Sequence, residues 1–188
     1  KLFIQAKGVG APGTDENFFL TKSDVDFVEK INGVSEISGM YLKAGEIEFK
    51  EQSKYVFVTG LDPEKMEFVL EAFTIEVIKG RNLKKGDSNK VVLGYNYQFE
   101  NKVLEKSIRL GDKVEVEGEK FEVIGFFEEL GNPQDDSNVY VIPETMERLY
   151  DGLKDQFGFV MVRADKNVEP SGLADKIKEK LRKHKDQD

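Results

Sequence analysis

Glu128, Glu129, Asp135 and Asp136 form the most suggestive acidic cluster in the chain, set among apolar residues where carboxylates can move protons or ligate a divalent cation. Two of them, Asp135 and Asp136, are adjacent and share a stretch with Gly131 and Pro133, a composition that more commonly makes a solvated turn. The single histidine, His184, stands in LRKHKDQD among charges, where a tail position in solvent fits better than a catalytic base. A histidine-based triad would depend on it. No GxSxG elbow occurs, one histidine cannot supply HExxH, and the absence of cysteine removes thiolate nucleophiles, thiolate metal sites and disulfides together.

Gly8, Gly10 and Gly13 in GVGAPG spell the dinucleotide string GxGxxG. Its mechanism needs a helix opening at the loop to meet the pyrophosphate, and TDEN follows instead, with two acids where phosphate would sit. No GxxxxGK[ST] loop is present either. These omissions leave no cofactor expected and speak against an enzyme. Aromatics come as pairs at Phe18 with Phe19 and at Phe126 with Phe127; on a strand, members of a pair face opposite ways, so either both faces are covered or one ring of each pair is offered to a partner.

Elements must hold these groups in place. With 188 residues, 39% hydrophobic and 11% aromatic, the chain can bury a core without staples. The net charge of -8 disfavours a basic surface for nucleic acid, so no nucleic-acid partner is expected. No stretch approaches the roughly 20 apolar residues of a membrane helix, and the chain begins abruptly at Lys1 without an initiator methionine, as a fragment of a longer protein would.

Thr21 and Asp24 fit a capping box and Leu20 with Val25 a hydrophobic staple, which predicts a helix over residues 22–32 ended by Gly33, with Val25, Val28 and Ile31 inward. VSEISGMYL and GEIEFKE read as consecutive strands, and residues 54–61 as a third. Asp62-Pro63 starts a helix with Met66, Val69, Leu70 and Phe73 on its apolar face. A strand around residues 73–80, a short one at 91–93 and a helix over 95–106 follow. KVEVEGEKFEVIGFF alternates on both sides of a turn at Gly118-Glu119, the pattern of a hairpin. Residues 130–137 form a polar loop, NVYVI a strand, and Pro143 opens a helix with Met146, Leu149 and Tyr150 inward. FGFVMVR reads as a buried strand, and Pro170 starts a last helix with Leu173, Ile177 and Leu181 at four-residue spacing.

Several segments in order resemble the extracytoplasmic core domain of MacB-like ABC-transporter permeases. They are Gly33-Val34, the turn from Gly60 to Pro63 in VTGLDPE, Gly80 to Leu83 in IKGRNL, Leu110 to Asp112 in IRLGD, Val123 to Gly125 in EVIGFF and Val141 to Pro143 in NVYVIP. Each is a weak signal of glycines and acids at turns; six in the right order, over residues 20–183, are specific.

The resemblance implies an α+β fold lying between the first and second membrane helices. Residues 1–72 plus 153–188 would form a split, Porter-like strand-helix subdomain near the membrane, and 73–152 an inserted, mainly β, Sabre-like subdomain. It further implies that ATP is hydrolysed by a separate cytoplasmic subunit or domain, and that the chain couples this to export or mechanical work outside the membrane. Expected partners are the permease's own transmembrane region, a second permease copy, the ATP-binding subunit, and an extracytoplasmic adaptor or a peptide or lipid-like substrate. The rival reading is a sensing or regulatory module of a permease-like complex that controls a peptide response or a cell-wall hydrolase. The candidate docking loop is Gly131, Asn132, Pro133, Gln134, Asp135, Asp136 and Ser137, since loops on a rigid scaffold often carry binding.

Overall fold

The computed structural model describes residues 2–4 and 19–185. In chain order the elements are β1 (Leu2–Ile4), β2 (Leu20–Thr21), α1 (Lys22–Glu29), β3 (Val34–Phe49), β4 (Gln52–Gly60), α2 (Met66–Phe73), β5 (Val77–Gly80) and β6 (Lys90–Leu93). They continue with β7 (Lys113–Val116), β8 (Glu119–Phe127), β9 (Val139–Val141), α3 (Pro143–Leu149), β10 (Gln156–Phe157), β11 (Phe159–Ala164) and α4 (Pro170–Lys185). The described residues divide into two units, one drawn from Lys1–Tyr41 and Leu153–Asp188, the other from Leu42–Gly152. Residues 42–72, which the sequence reading groups with the two terminal halves, lie in the second unit.

In the first unit, β11 pairs antiparallel with the first half of β3, Val162 opposite Ile37, and with β1 on its other edge. The capping box at α1 forms as expected: Asp24 N–H donates to Thr21 Oγ1 (3.1 Å) and Thr21 N–H to Asp24 Oδ2 (2.8 Å). Val28 of α1 and Leu173, Ile177 and Leu181 of α4 close over Ile37, Val160 and Val162, so the four-residue spacing read in the sequence is the buried stripe. His184 is not loose in a tail: it sits on the last turn of α4, its ring stacked 4.2 Å from that of Phe27.

The second unit is a ring of strands. The second half of β3 is followed by β4, β9, β6, β8 and β7, and β7 pairs back onto β3 at Ile47 and Glu48. Closure leaves these strands paired on both sides for part of their length, the arrangement that removes sheet edges. Inward residues include Ile47, Val58, Val91, Val116, Val123 and Val139, all fully buried. β8 pairs with three strands: β6 lies parallel along one edge, while β7 and then β5 share the other.

Several local expectations are corrected. The two strands read at residues 34–42 and 45–51 are one, β3, which runs on through Lys43 and Ala44; at Gly45 an added Cβ would collide with the Tyr150 hydroxyl and Val58. The helix expected over 95–106 is a single 3-10 turn, Tyr95–Gln98. Phe99 turns extended, Asn101 is left-handed, and Ile108 N–H goes to Tyr97 C=O (2.8 Å), a path no helix follows. The hairpin turn is Glu117-Gly118, one residue earlier than expected, with both residues at positive φ as the tight turn demands. On α2, Met66 and Val69 are buried as expected, but Phe68 and Ala72 complete the inward face in place of Leu70 and Phe73, the last 38% exposed. Thr145, not Leu149 or Tyr150, joins Met146 as fully buried on α3. Gly158 interrupts the last expected strand, leaving β10 and β11.

Five of the six spaced motifs meet in two places. Gly80 is the register partner of Gly125, Arg81 N–H donates to Ile124 C=O (3.0 Å), and Gly111 N–H donates to Val123 C=O (2.8 Å). Asp112 C=O in turn accepts Val123 N–H (2.9 Å), and its carboxylate accepts Arg109 N–H (2.8 Å). Three motifs therefore meet along residues 123–125 of β8. A second pair meets where Leu61 N–H donates to Val141 C=O (2.8 Å), with Asp62 capping the helical turn that Pro63 opens. Each of these five is a point of close backbone approach or a cap, which is why glycine, aspartate and proline occupy it.

Candidate functional site

The loop of residues 131–137 is braced from within. Asp136, only 3% exposed, accepts the N–H groups of Leu130 (2.7 Å) and Gly131 (3.0 Å) on its two carboxylate oxygens. Asn132 Oδ1 accepts Gln134 N–H (3.0 Å), and Ser137 Oγ donates to Pro133 C=O (2.6 Å). From below, Tyr97 hydroxyl donates to Ser137 C=O (2.7 Å); burial pushes this phenol far above the usual tyrosine range, so it remains a donor. An added Cβ on Gly94 would lie 2.5 Å from Asp136 C=O, so the loop sits directly on that glycine.

Gly131, Asn132, Pro133, Gln134 and Asp135 form the exposed ridge, while Asp136 and Ser137 turn inward. Partial burial, and then the neighbouring Asp136 carboxylate, raise the Asp135 carboxyl above the usual aspartate range. Burial likewise pushes the Tyr140 hydroxyl up to about 12. Asp136→Ala leaves two inward N–H groups without their charged acceptor, and a loss of about 2 kcal/mol is expected in urea unfolding, with faster hydrogen exchange at Leu130 and Gly131. An unchanged midpoint would mean that the loop is held by its other bonds.

The acids suggested by the sequence are not gathered. Glu128 Oε1 accepts Glu76 N–H (2.9 Å) at the end of the β5–β8 pairing, and Asp136 is committed to the loop. Among the described residues, no three histidines, aspartates or glutamates come together in a group that could hold a metal. Gly8, Gly10, Gly13 and Phe18 lie outside the described residues. Of the paired aromatics, Phe126 and Phe127 are both buried, and Phe19 is half-buried.

What sequence reasoning missed is a groove of about 530 Å³ beside the loop. Residues 54–57 of β4 form one wall, Pro133, Gln134 and Ser137 the other, and Lys102 joins the rim. Tyr55 is 74% exposed there, the most exposed large hydrophobic residue of the described chain. The available signal was Tyr55 and Phe57 two apart on one strand beside Lys54; nothing local says that this face stays uncovered.

The family model described as the MacB-like periplasmic core domain matches residues 2–180. An uncharacterized ABC transporter permease of Methanocaldococcus jannaschii is 24% identical over 171 residues, which are 91% of this chain and 42% of that protein. The chain thus spans less than half the length of this curated relative. Among solved structures, the periplasmic region of MacB from Actinobacillus actinomycetemcomitans superposes with a TM-score of 0.71 at 17% identity, covering 96% of this chain and 81% of that one. The extracellular domain of the noncanonic ABC-type transporter YknZ from Gram-positive bacteria gives 0.64 at 16% identity, covering 91% and 86%. Both likenesses are of fold.

Proposed function

The chain belongs to the MacB-like periplasmic core domain family, and we propose that it couples ATP hydrolysis, performed by a separate cytoplasmic subunit or domain, to export or mechanical work outside the membrane. It is an extracytoplasmic domain of the kind that MacB-type ABC transporter permeases carry. Among the described residues no helix is long and apolar enough to cross a membrane. In this reading the membrane helices, the second permease copy and the ATP-binding subunit would be supplied by chain or partners beyond these residues.

The carrying observation is the match across residues 2–180, and the connectivity of the two units supports its finer part. The first and last described elements, β1 and α4, belong to the same unit, while the ring is one continuous stretch, Leu42–Gly152. A domain tethered to the membrane at both ends would carry its tethers on the first unit, the Porter-like one. The ring would be the Sabre-like unit that presents the 131–137 loop to an adaptor or substrate. Coupling requires two arrangements with different affinities for what is docked.

The test is transport by the full-length permease with its ATP-binding subunit in proteoliposomes. Replacing residues 131–135 by a glycine-serine stretch of equal length is expected to abolish transport while basal ATP hydrolysis persists. Undiminished transport would remove the docking role from this loop. Gene sequence flanking Lys1 and Asp188 that lacks apolar spans of about 20 residues would remove the permease reading altogether.

A further inference from the structure

The groove beside β4 is a gap in the ring. On the β9 side, β4 is paired only at Val58, Thr59 and Gly60, opposite Val139, Tyr140 and Val141. Just before β9 the chain leaves the sheet as the braced loop, so residues 54–57 face an opening rather than a neighbouring strand. Leu61 N–H points to this edge, donating to Val141 C=O (2.8 Å). Because strand backbone groups alternate in direction, the N–H and C=O of Phe57 and Tyr55 point to the same edge; the Val58–Val139 pairing takes up Phe57 C=O, while Phe57 N–H and both groups of Tyr55 have no strand opposite them.

Two cations line this opening, Lys54 and Lys102, and no acid does. Neither lysine has an ion-pair partner among the described residues, in a chain whose net charge is -8. The remaining surface is largely apolar, with Tyr55, Val56, Phe57 and Pro133 in its lining. Unpaired backbone groups at strand spacing, an apolar wall and uncompensated positive charge together define one complement.

We propose that the β4 gap accepts an extended, acidic-apolar peptide segment as an added strand. Its main chain would bond to Tyr55 and Phe57, its carboxylates would meet Lys54 and Lys102, and its alternate apolar side chains would lie on the aromatic wall. The exposed stretch of β4 is four residues, about 13 Å of strand, and a segment of this length matches a groove of about 530 Å³. A small amphiphilic anion would satisfy the charge and the apolar wall but leave the backbone groups to water.

This deepens the docking reading of the 131–137 loop, which forms the far wall, and rests on that reading only for its biological role. The experiment is NMR titration of the 188-residue chain with an acetylated, amidated hexapeptide alternating glutamate and valine. Saturable shifts at residues 54–57 and slowed hydrogen exchange at Tyr55 and Phe57 are expected. Affinity should fall at least about tenfold in the Lys54→Glu, Lys102→Glu double variant. N-methylation of the peptide amides that face β4, which leaves the protein untouched, should remove binding.

Equal binding of the N-methylated peptide, or of a lysine-valine peptide, overturns the proposal. So does the absence of saturable binding at millimolar peptide. Saturable binding of decanoate at these residues without peptide binding would identify a small-amphiphile cleft instead, also overturning it. Failure here, with transport still abolished by the loop replacement, would count against strand addition alone.

Discussion

Gly80→Ala is expected to destabilise the second unit by about 3 kcal/mol or more, through two separable causes. Gly80 sits at φ +71°, a left-handed conformation that costs an L-residue roughly 1–2 kcal/mol. Its missing Cβ would also fall on the Ile124 carbonyl oxygen, a backbone atom that cannot swing away, and 2.8 Å from Leu110 Cδ2. Gly86 offers the internal control: it has φ +88° with nothing within 4 Å of an added Cβ. Gly86→Ala should therefore show only the conformational part, and the excess in Gly80→Ala measures the close approach of β5 to β8. Urea unfolding of the 188-residue chain reads both. Equal losses in the two variants would mean that β5 backs away at little cost and that Gly80 is there for its φ alone.

Phe126→Ala and Phe127→Ala are each expected to cost about 3–5 kcal/mol, the range for removing a buried aromatic ring. Adjacent residues on a strand face opposite sides, so a strand with one solvated face would show one large and one small effect. Here the two rings are 1% and 2% exposed, so both faces of β8 are covered at this point. Phe127 additionally meets Tyr140 edge-on at 4.8 Å, an arrangement that contributes about 0.5–1.5 kcal/mol beyond burial. Phe73→Ala, at a ring 38% exposed, should cost clearly less than either. A small effect at Phe126 or Phe127 in the same unfolding series would reopen the idea that one ring is offered to a partner.

The sequence was most informative where structure is written over a few residues. Thr21 with Asp24 and the run Leu173, Ile177, Leu181 each behave as their spacing predicts, because a cap and a helical stripe depend on neighbours three or four positions away. The two strands expected at residues 34–42 and 45–51 are one, because the partners that pair along β3, β11 and then β7, come from segments far away in sequence. Tyr95–Gln98 has the composition of a helix start, but the Ile108 N–H bond to Tyr97 diverts the chain. Ring closure of β7 on β3 and the opening beside Tyr55 are set by pairings between distant segments, and no local pattern encodes them. The ordered motifs were the exception: each is a weak local signal, but three converge on β8 and two more meet at Leu61 and Val141.

The uninterrupted course of Leu42–Gly152 also bears on the order in which a growing chain acquires structure. Every strand of the ring is available once residue 141 has emerged, so its core can condense while the remainder is still being made. The first half of β3 must wait for β11, which follows the whole ring in sequence, and α1 must wait for α4. Until then its apolar face, with Ile37 and Val28, has no native cover. The window for misassembly or chaperone capture therefore falls on the discontinuous unit, and a destabilised β11 should trap a species with a formed ring and an unclosed terminal unit.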